Sequence, residues 1–166
     1  MQIRPELPAD EEAISTVISA AFLNAEHSAG NEARIVDALR KAGSLAVSLV
    51  ATEKGKVVGH VAFSPVTIDG LNNGWFGLGP VAVIPDRQRT GIGSALIKAG
   101  LARIRNRRSR GCVVLGDAGY YRRFGFTSDP NLRLADVPPE YFQRLLFDEQ
   151  PCSGMVKYHA AFDVGA

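Results

Sequence analysis

The sequence lacks the residues that mark several common chemistries. Its two cysteines, Cys112 and Cys152, stand alone without CxxC spacing, and its three histidines are scattered, so no zinc-ligand pattern is present. No Gly-x-Ser-x-Gly elbow occurs, which argues against a serine hydrolase, and no Gly-x-x-x-x-Gly-Lys-Ser/Thr loop occurs, which excludes a Walker A site. No apolar run approaches membrane-spanning length, and the first residues lack the basic-then-apolar pattern of a secretion signal. A net charge of +2 is too small to point to nucleic acid. The expectation is a reduced cytoplasmic setting, with no metal, membrane or nucleic-acid partner.

What is present suits one domain over residues 1–166: the chain is 46% apolar and 22% charged, long enough for a full hydrophobic core. Gln2 to Arg4 reads as a first strand, and Pro8 with Asp10, Glu11 and Glu12 as a helix start. Ile14, Val17, Ile18, Ala21 and Phe22 then recur at helical spacing. After a polar loop from Asn24 to Gly30, Asn31 is the expected N-cap of a second helix that Gly43 stops. Leu45–Thr52, Val57–Ile68 and Trp75–Ile84 read as three strands joined by short turns, an antiparallel meander. A helix from Gly93 to about Arg107, with Leu96, Ile97, Gly100, Leu101 and Ile104 on one stripe, crosses to the strand Cys112–Leu115, which should run parallel to the Trp75 strand. Asp117–Phe124 reads as a short helix, Pro130–Pro151 as irregular with Tyr141–Phe147 strand-like, and Gly154–His159 as a last strand. The five arginines between Arg103 and Arg110 read as a solvated helix end.

The most informative stretch is Pro80 to Lys98: a strand, a basic turn holding Gln88-x-x-Gly91-x-Gly93, then an amphipathic helix. Such a turn aims several unpaired N–H groups and the positive helix end one way, a ready phosphate site, with Arg87 and Arg89 at its mouth. The dinucleotide fingerprint fails here because Leu96 stands where its third glycine or alanine would be. Gly77-x-Gly79-x-x-Ala82 matches its letters but lies in a strand with no helix after it. Pro80, mid-strand, predicts a break in pairing, since it has no N–H for the ladder.

Val81-Ala82-Val83 with Gln88-Arg-Thr-Gly91-Ile-Gly93 resembles motif A of the GNAT acetyltransferase superfamily, and Tyr121-Arg-Arg-Phe-Gly125-Phe126 resembles its later Tyr-x-x-x-Gly-Phe element. The resemblance covers roughly the whole chain and implies an α/β fold, a mixed central sheet with splayed strands flanked by helices. It implies acetyl-CoA as co-substrate: its diphosphate at Gln88, Arg89, Thr90, Gly91, Ile92, Gly93 and Ser94, and its pantetheine arm along Val81, Ala82 and Val83. It assigns the proton for the leaving thiolate to Tyr121, while Tyr120 is expected to point elsewhere. The implied reaction is direct N-acetylation of an amine, a small molecule being favoured over a protein N-terminus. Dimers are common in the family, so a homodimer is a further expectation.

No carboxylate stands on the Trp75 strand, where some members carry their base; Asp117, Glu26, Glu32, His27 and His60 are the candidates, His60 reading best as a core histidine. The asparagine often found after the strand ending at Leu115 is absent. The C-terminal Gly154–Phe162 stretch resembles a bacterial subgroup of the family whose acceptors are unknown. The rival reading is a non-catalytic acyl-CoA-binding or regulatory domain.

Overall fold

A computed structural model of the chain describes residues 1–165. Its strands are β1 (Gln2–Pro5), β2 (Val47–Glu53), β3 (Lys56–Pro65), β4 (Thr67–Ile68), β5 (Trp75–Val83), β6 (Gly111–Leu115), β7 (Leu132–Leu134), β8 (Phe142–Leu146) and β9 (Gly154–Lys157). Its helices are α1 (Glu11–Phe22), α2 (Glu32–Lys41), α3 (Ile92–Arg105) and α4 (Ala118–Tyr121). Six strands form one mixed sheet in the order β1-β2-β3-β5-β6-β8. Within this sheet only β5 and β6 pair in parallel among the described residues, as expected for two strands joined by the α3 crossover.

The sheet is covered on both faces because its strands carry apolar residues on both. Leu49, Val61, Phe63, Leu78 and Val114 meet Leu96, Ile97 and Ile104 of α3. Val50, Ala62 and Ala82, on the other face, meet Ile14, Val17 and Ile18 of α1 and Val36 of α2. The stripe expected on α3 is the one it buries, together with Ile92. The rest of the α1 face, around Trp75 and Val113, is covered by a three-stranded sheet in the order β4-β9-β7.

That small sheet departs from the expected plan. The run Val57–Ile68 is two strands: the chain leaves the main sheet after Pro65, and β4 pairs with β9 instead. The Pro130–Pro151 segment, expected to be irregular, contains β7, whose parallel partner β9 lies some twenty residues away in sequence. Asn31 stands at the head of α2 but its side chain does not cap it; its amide donates to the Val164 carbonyl at 2.7 Å instead, tying the C-terminal segment to the helix.

The site depends on a fork between β5 and β6. The two strands pair from Trp75–Gly111 to Leu78–Val114 and no further. On its other side β5 pairs Val81 with Val61 but Leu78 with Phe63, so one extra residue is bulged at Gly79-Pro80. Gly79 takes φ 138°, open to glycine but not to side-chain-bearing residues. The break expected at Pro80 is present, in an interior strand rather than at a sheet edge.

Candidate active site

Backbone direction decides what the fork exposes. Ile84 donates to the Val58 carbonyl at 2.9 Å and Ala82 pairs with His60, so the even-numbered residues aim their peptide groups at β3. Val81 and Val83 therefore aim theirs at the opposite edge, where β6 has already diverged. The Val83 carbonyl is met there by the Gln88 side-chain amide at 2.9 Å, which pins the turn against the strand.

The turn is shaped for an anion. A 3-10 turn, Pro85–Arg87, leads through extended Gln88 to Arg89 at φ 64° and Gly91 at φ 92°. Ala95 donates to the Gly91 carbonyl at 3.0 Å, which starts α3 and leaves the amides of Ile92, Gly93 and Ser94 with no carbonyl inside the helix. A Cβ placed on Gly91 would meet no atom within 4 Å beyond its chain neighbours, so the position is open. Together the turn and the fork bound a cleft of about 500 Å³ lined by Val81, Val83, Arg87, Gln88, Arg89, Gly91, Gly93, Ser94, Tyr120, Tyr121 and Arg123, with Ala21, Phe22 and Ala25 of the α1 end. Arg87 is held by Glu53 at 2.6 Å.

Three of the predicted residues stand outside the lining. Ala82 directs its peptide to β3 and buries its side chain under α1, away from the open edge. Ile92 contributes an amide to the turn while its side chain is buried in the core. Thr90 is exposed and its hydroxyl donates to the Arg87 carbonyl at 2.5 Å, a brace within the turn.

Tyr121 reaches the cleft because β6 ends at Leu115 and Asp117 caps α4, accepting from the Gly119 amide at 3.3 Å. Its ring lies so close on Gly116 that a Cβ there would sit 2.5 Å from it, and it packs edge-on against Tyr120 and Phe126. Burial, then the neighbouring Tyr120 and Cys112, push its phenol up to about 12, so it holds its proton at neutral pH. Tyr120, expected to point elsewhere, lines the same cleft. Its hydroxyl stands near Gly93, 3.7 Å from where a Cβ would be, and the Arg123 guanidinium lies 4.4 Å from its ring centre. α4 is a single turn, and its two adjacent tyrosines share one wall of the cleft.

None of the proposed bases lines the cleft, and among its described lining residues there is no carboxylate or histidine. Asp117 is the α4 cap, Glu32 accepts from the Ser28 hydroxyl, and Glu26 and His27 are exposed in the loop after α1. His60 is a core histidine, as its strand suggested: fully buried, Nε2 sits 2.8 Å from the Ser48 hydroxyl, which also contacts Glu6, itself paired to Arg40 at 2.8 Å. Burial pushes the imidazole down to about 4; the Glu6 charge opposes this shift and Arg40 adds to it. Between pH 6.5 and 4 the unfolded chain takes up a proton that the folded chain refuses, so stability is full above pH 6.5 and falls as acid is added. The loss should approach about 3 kcal/mol at 1.36 kcal/mol per pH unit. His60→Gln, which does not titrate, should flatten that part of the profile; an unchanged acid slope in thermal melts would clear His60 of the effect.

Sequence reading missed Gln143 and Tyr158. Gln143, 1% exposed, donates to the Gly116 carbonyl at 2.9 Å and so fixes the turn that presents Tyr121; nothing in its strand pattern singles it out. Tyr158 lies against Gly77 beside the fork, within the C-terminal stretch already noted for its resemblance.

Comparisons with known proteins bear on the fold and the family. Residues 44–128 match the model of the acetyltransferase (GNAT) domain. The uncharacterised N-acetyltransferase YhbS of Escherichia coli is 33% identical over 98% of this chain and 99% of its own length. The crystal structure of YhbS with CoA superposes with a TM-score of 0.86, covering 99% of this chain and 93% of that one. A GNAT family acetyltransferase from Brucella melitensis, solved with acetyl-CoA, is 52% identical with a TM-score of 0.88, covering 98% and 97%.

Proposed function

The chain belongs to the GNAT acetyltransferase family, and from that premise we propose that it moves the acetyl group of acetyl-CoA directly to a primary amine on a small molecule, in the cytoplasm. The observation that carries this reading is the join of an anion-shaped helix start to an open strand edge. The first-turn amides of α3 would hold the diphosphate, with Arg89 and Arg123 adding charge at the rim. The outward peptide groups of Val81 and Val83 would pair with the amides of the arm and donate to the charge that develops on the acetyl carbonyl oxygen. Bound acetyl-CoA supplies an activated thioester whose thiolate departs when an amine attacks.

Tyr121 then serves that thiolate. With a phenol near 12 and a thiol near ~8.5, full proton transfer is uphill by about 5 kcal/mol, so Tyr121 acts as a hydrogen-bond donor to the developing charge. The amine must arrive neutral, because no carboxylate or histidine among the described residues of the lining can deprotonate it; its surplus proton leaves through the cleft to water. A covalent acyl-enzyme on Cys112 is disfavoured: the residue is fully buried, and burial raises its thiol far above neutrality.

Acetyl-CoA, and not NAD or ATP, should raise the thermal midpoint, by the equivalent of about 2.7 kcal/mol at ~100 times the dissociation constant. A shift with NAD and none with acetyl-CoA would sink the reading. A panel of amines, followed by free-thiol release, then separates an enzyme from a binding domain, which would bind acetyl-CoA yet release no thiol with any amine.

A further inference from the structure

We propose that Tyr158 closes the end of the acyl pocket and restricts the enzyme to short acyl groups; the proposal rests on the acetyl-CoA reading above. The turn that would hold the diphosphate follows the C-terminal end of β5. An arm anchored there and lying on the open edge runs back from Val83 past Val81 towards Leu78, five residues or about 17 Å at ~3.3 Å each. At Leu78–Val114 the strands are paired again, so the acyl group arrives at a closed apex.

Two tyrosine rings cover that apex from opposite faces of the sheet. Tyr121 presses on Gly116, just beyond the end of β6, on the face that carries α3. Tyr158 presses on Gly77, one residue before Leu78, on the other face, where it packs with the Trp75 and Val113 core. A Cβ on Gly77 would lie 2.5 Å from the Tyr158 ring, so the ring lies directly on the strand and leaves no slot beneath it. It is also held from behind. β9 carries it in from the small sheet, and Phe162 packs on it with ring centres 5.0 Å apart. A longer acyl chain would have to displace one of the two rings, and only Tyr158 is free of the thiolate. Burial keeps its phenol uncharged, so the wall it offers is an aromatic one. The Gly154–Phe162 segment thus gains a role that the rest of the mechanism leaves unassigned.

The test is a ladder of CoA, acetyl-CoA, butyryl-CoA and hexanoyl-CoA, with dissociation constants measured by calorimetry on wild type, Tyr158→Leu and Tyr158→Phe without an amine. Wild type should bind butyryl-CoA at least about 10-fold more weakly than acetyl-CoA, the low end of what one misfitting methylene costs. Tyr158→Leu should bring that ratio within about 3-fold, while Tyr158→Phe, which keeps the ring, should retain the wild-type ladder. CoA itself should bind all three proteins alike. A flat ladder in the wild type overturns the proposal whether or not the leucine variant folds, as does a ladder that Tyr158→Leu leaves unchanged. Failure of wild type to bind even CoA would overturn the acetyl-CoA reading beneath it.

Discussion

Gly91→Val is expected to weaken acetyl-CoA binding by roughly 10²-fold while leaving the protein folded. Two physical effects act at this position, and the structure separates them. Gly91 sits at φ 92°, where a side-chain-bearing residue costs about 1–3 kcal/mol, so a thermal midpoint lower by several degrees is expected. Beyond the chain neighbours no atom lies within 4 Å of a Cβ there, and Gly91 lines the cleft, so the valine branch would enter the space proposed for the diphosphate. Loss of one or two charge-assisted hydrogen bonds, at about 1.5–3 kcal/mol each, accounts for the expected loss of affinity. Gly93→Ala provides the partner experiment. Its Cβ would lie in ordinary contact, 3.7 Å from the Tyr120 hydroxyl and from Val83, without positive-φ strain, so it should weaken binding at almost no cost in stability. Unchanged calorimetric affinity in a folded Gly91→Val protein would place the anion site elsewhere.

The local half of this architecture was readable before any coordinates. Pro80 in an apolar strand, two glycines spaced before a helical stripe, and a meander with short turns are signals carried within a few residues of where they act. They led to the bulge at Gly79-Pro80, the parallel β5–β6 pair and the buried face of α3. What escaped notice depends on distant partners. β7 is three residues long and exists only because β9 lies beside it, and the switch of the chain from β3 to β4 is set by that same small sheet. Asn31 has the right residue type for a cap, but a carbonyl 133 residues away outcompetes the local amides.

The site shows the same division. Gln88 to Ser94 form the turn and helix start that their spelling suggests, because the amides of a helix start need no tertiary partner to point outward. The neighbouring strand required parity: the bond from Ile84 to Val58 and the pairing of Ala82 with His60 show that Val81 and Val83 aim their peptide groups at the open edge and Ala82 aims its own at β3. Tyr120 differs from its expectation because neighbours face apart along a long helix, whereas α4 is a single turn and both its tyrosines line the cleft. Among the described residues the base candidates are exposed, capping, buried or, for Glu32, bonded to Ser28, and none of them lines the cleft.

Tyr121→Phe should lower kcat by about 10²-fold, at the low end of the range for a positioned acid. The low end is expected because a phenol pushed up to about 12 offers a hydrogen bond more readily than a proton, and a thiolate is already a tolerable leaving group. Packing should survive the change: the ring's contacts with Gly116, Tyr120 and Phe126 involve carbon atoms that phenylalanine keeps. Acetyl-CoA affinity should therefore move little. Tyr120→Phe makes the contrast sharp, since its hydroxyl stands by Gly93 at the phosphate end of the cleft rather than at the fork. Its loss should appear in the KM for acetyl-CoA, by a few-fold for one neutral hydrogen bond of about 1 kcal/mol, and leave kcat near wild type. Single-turnover rates at saturating amine distinguish the two, because they report the chemical step without product release. Equal single-turnover rates for wild type and Tyr121→Phe would remove Tyr121 from the reaction and leave the departing thiolate to water alone.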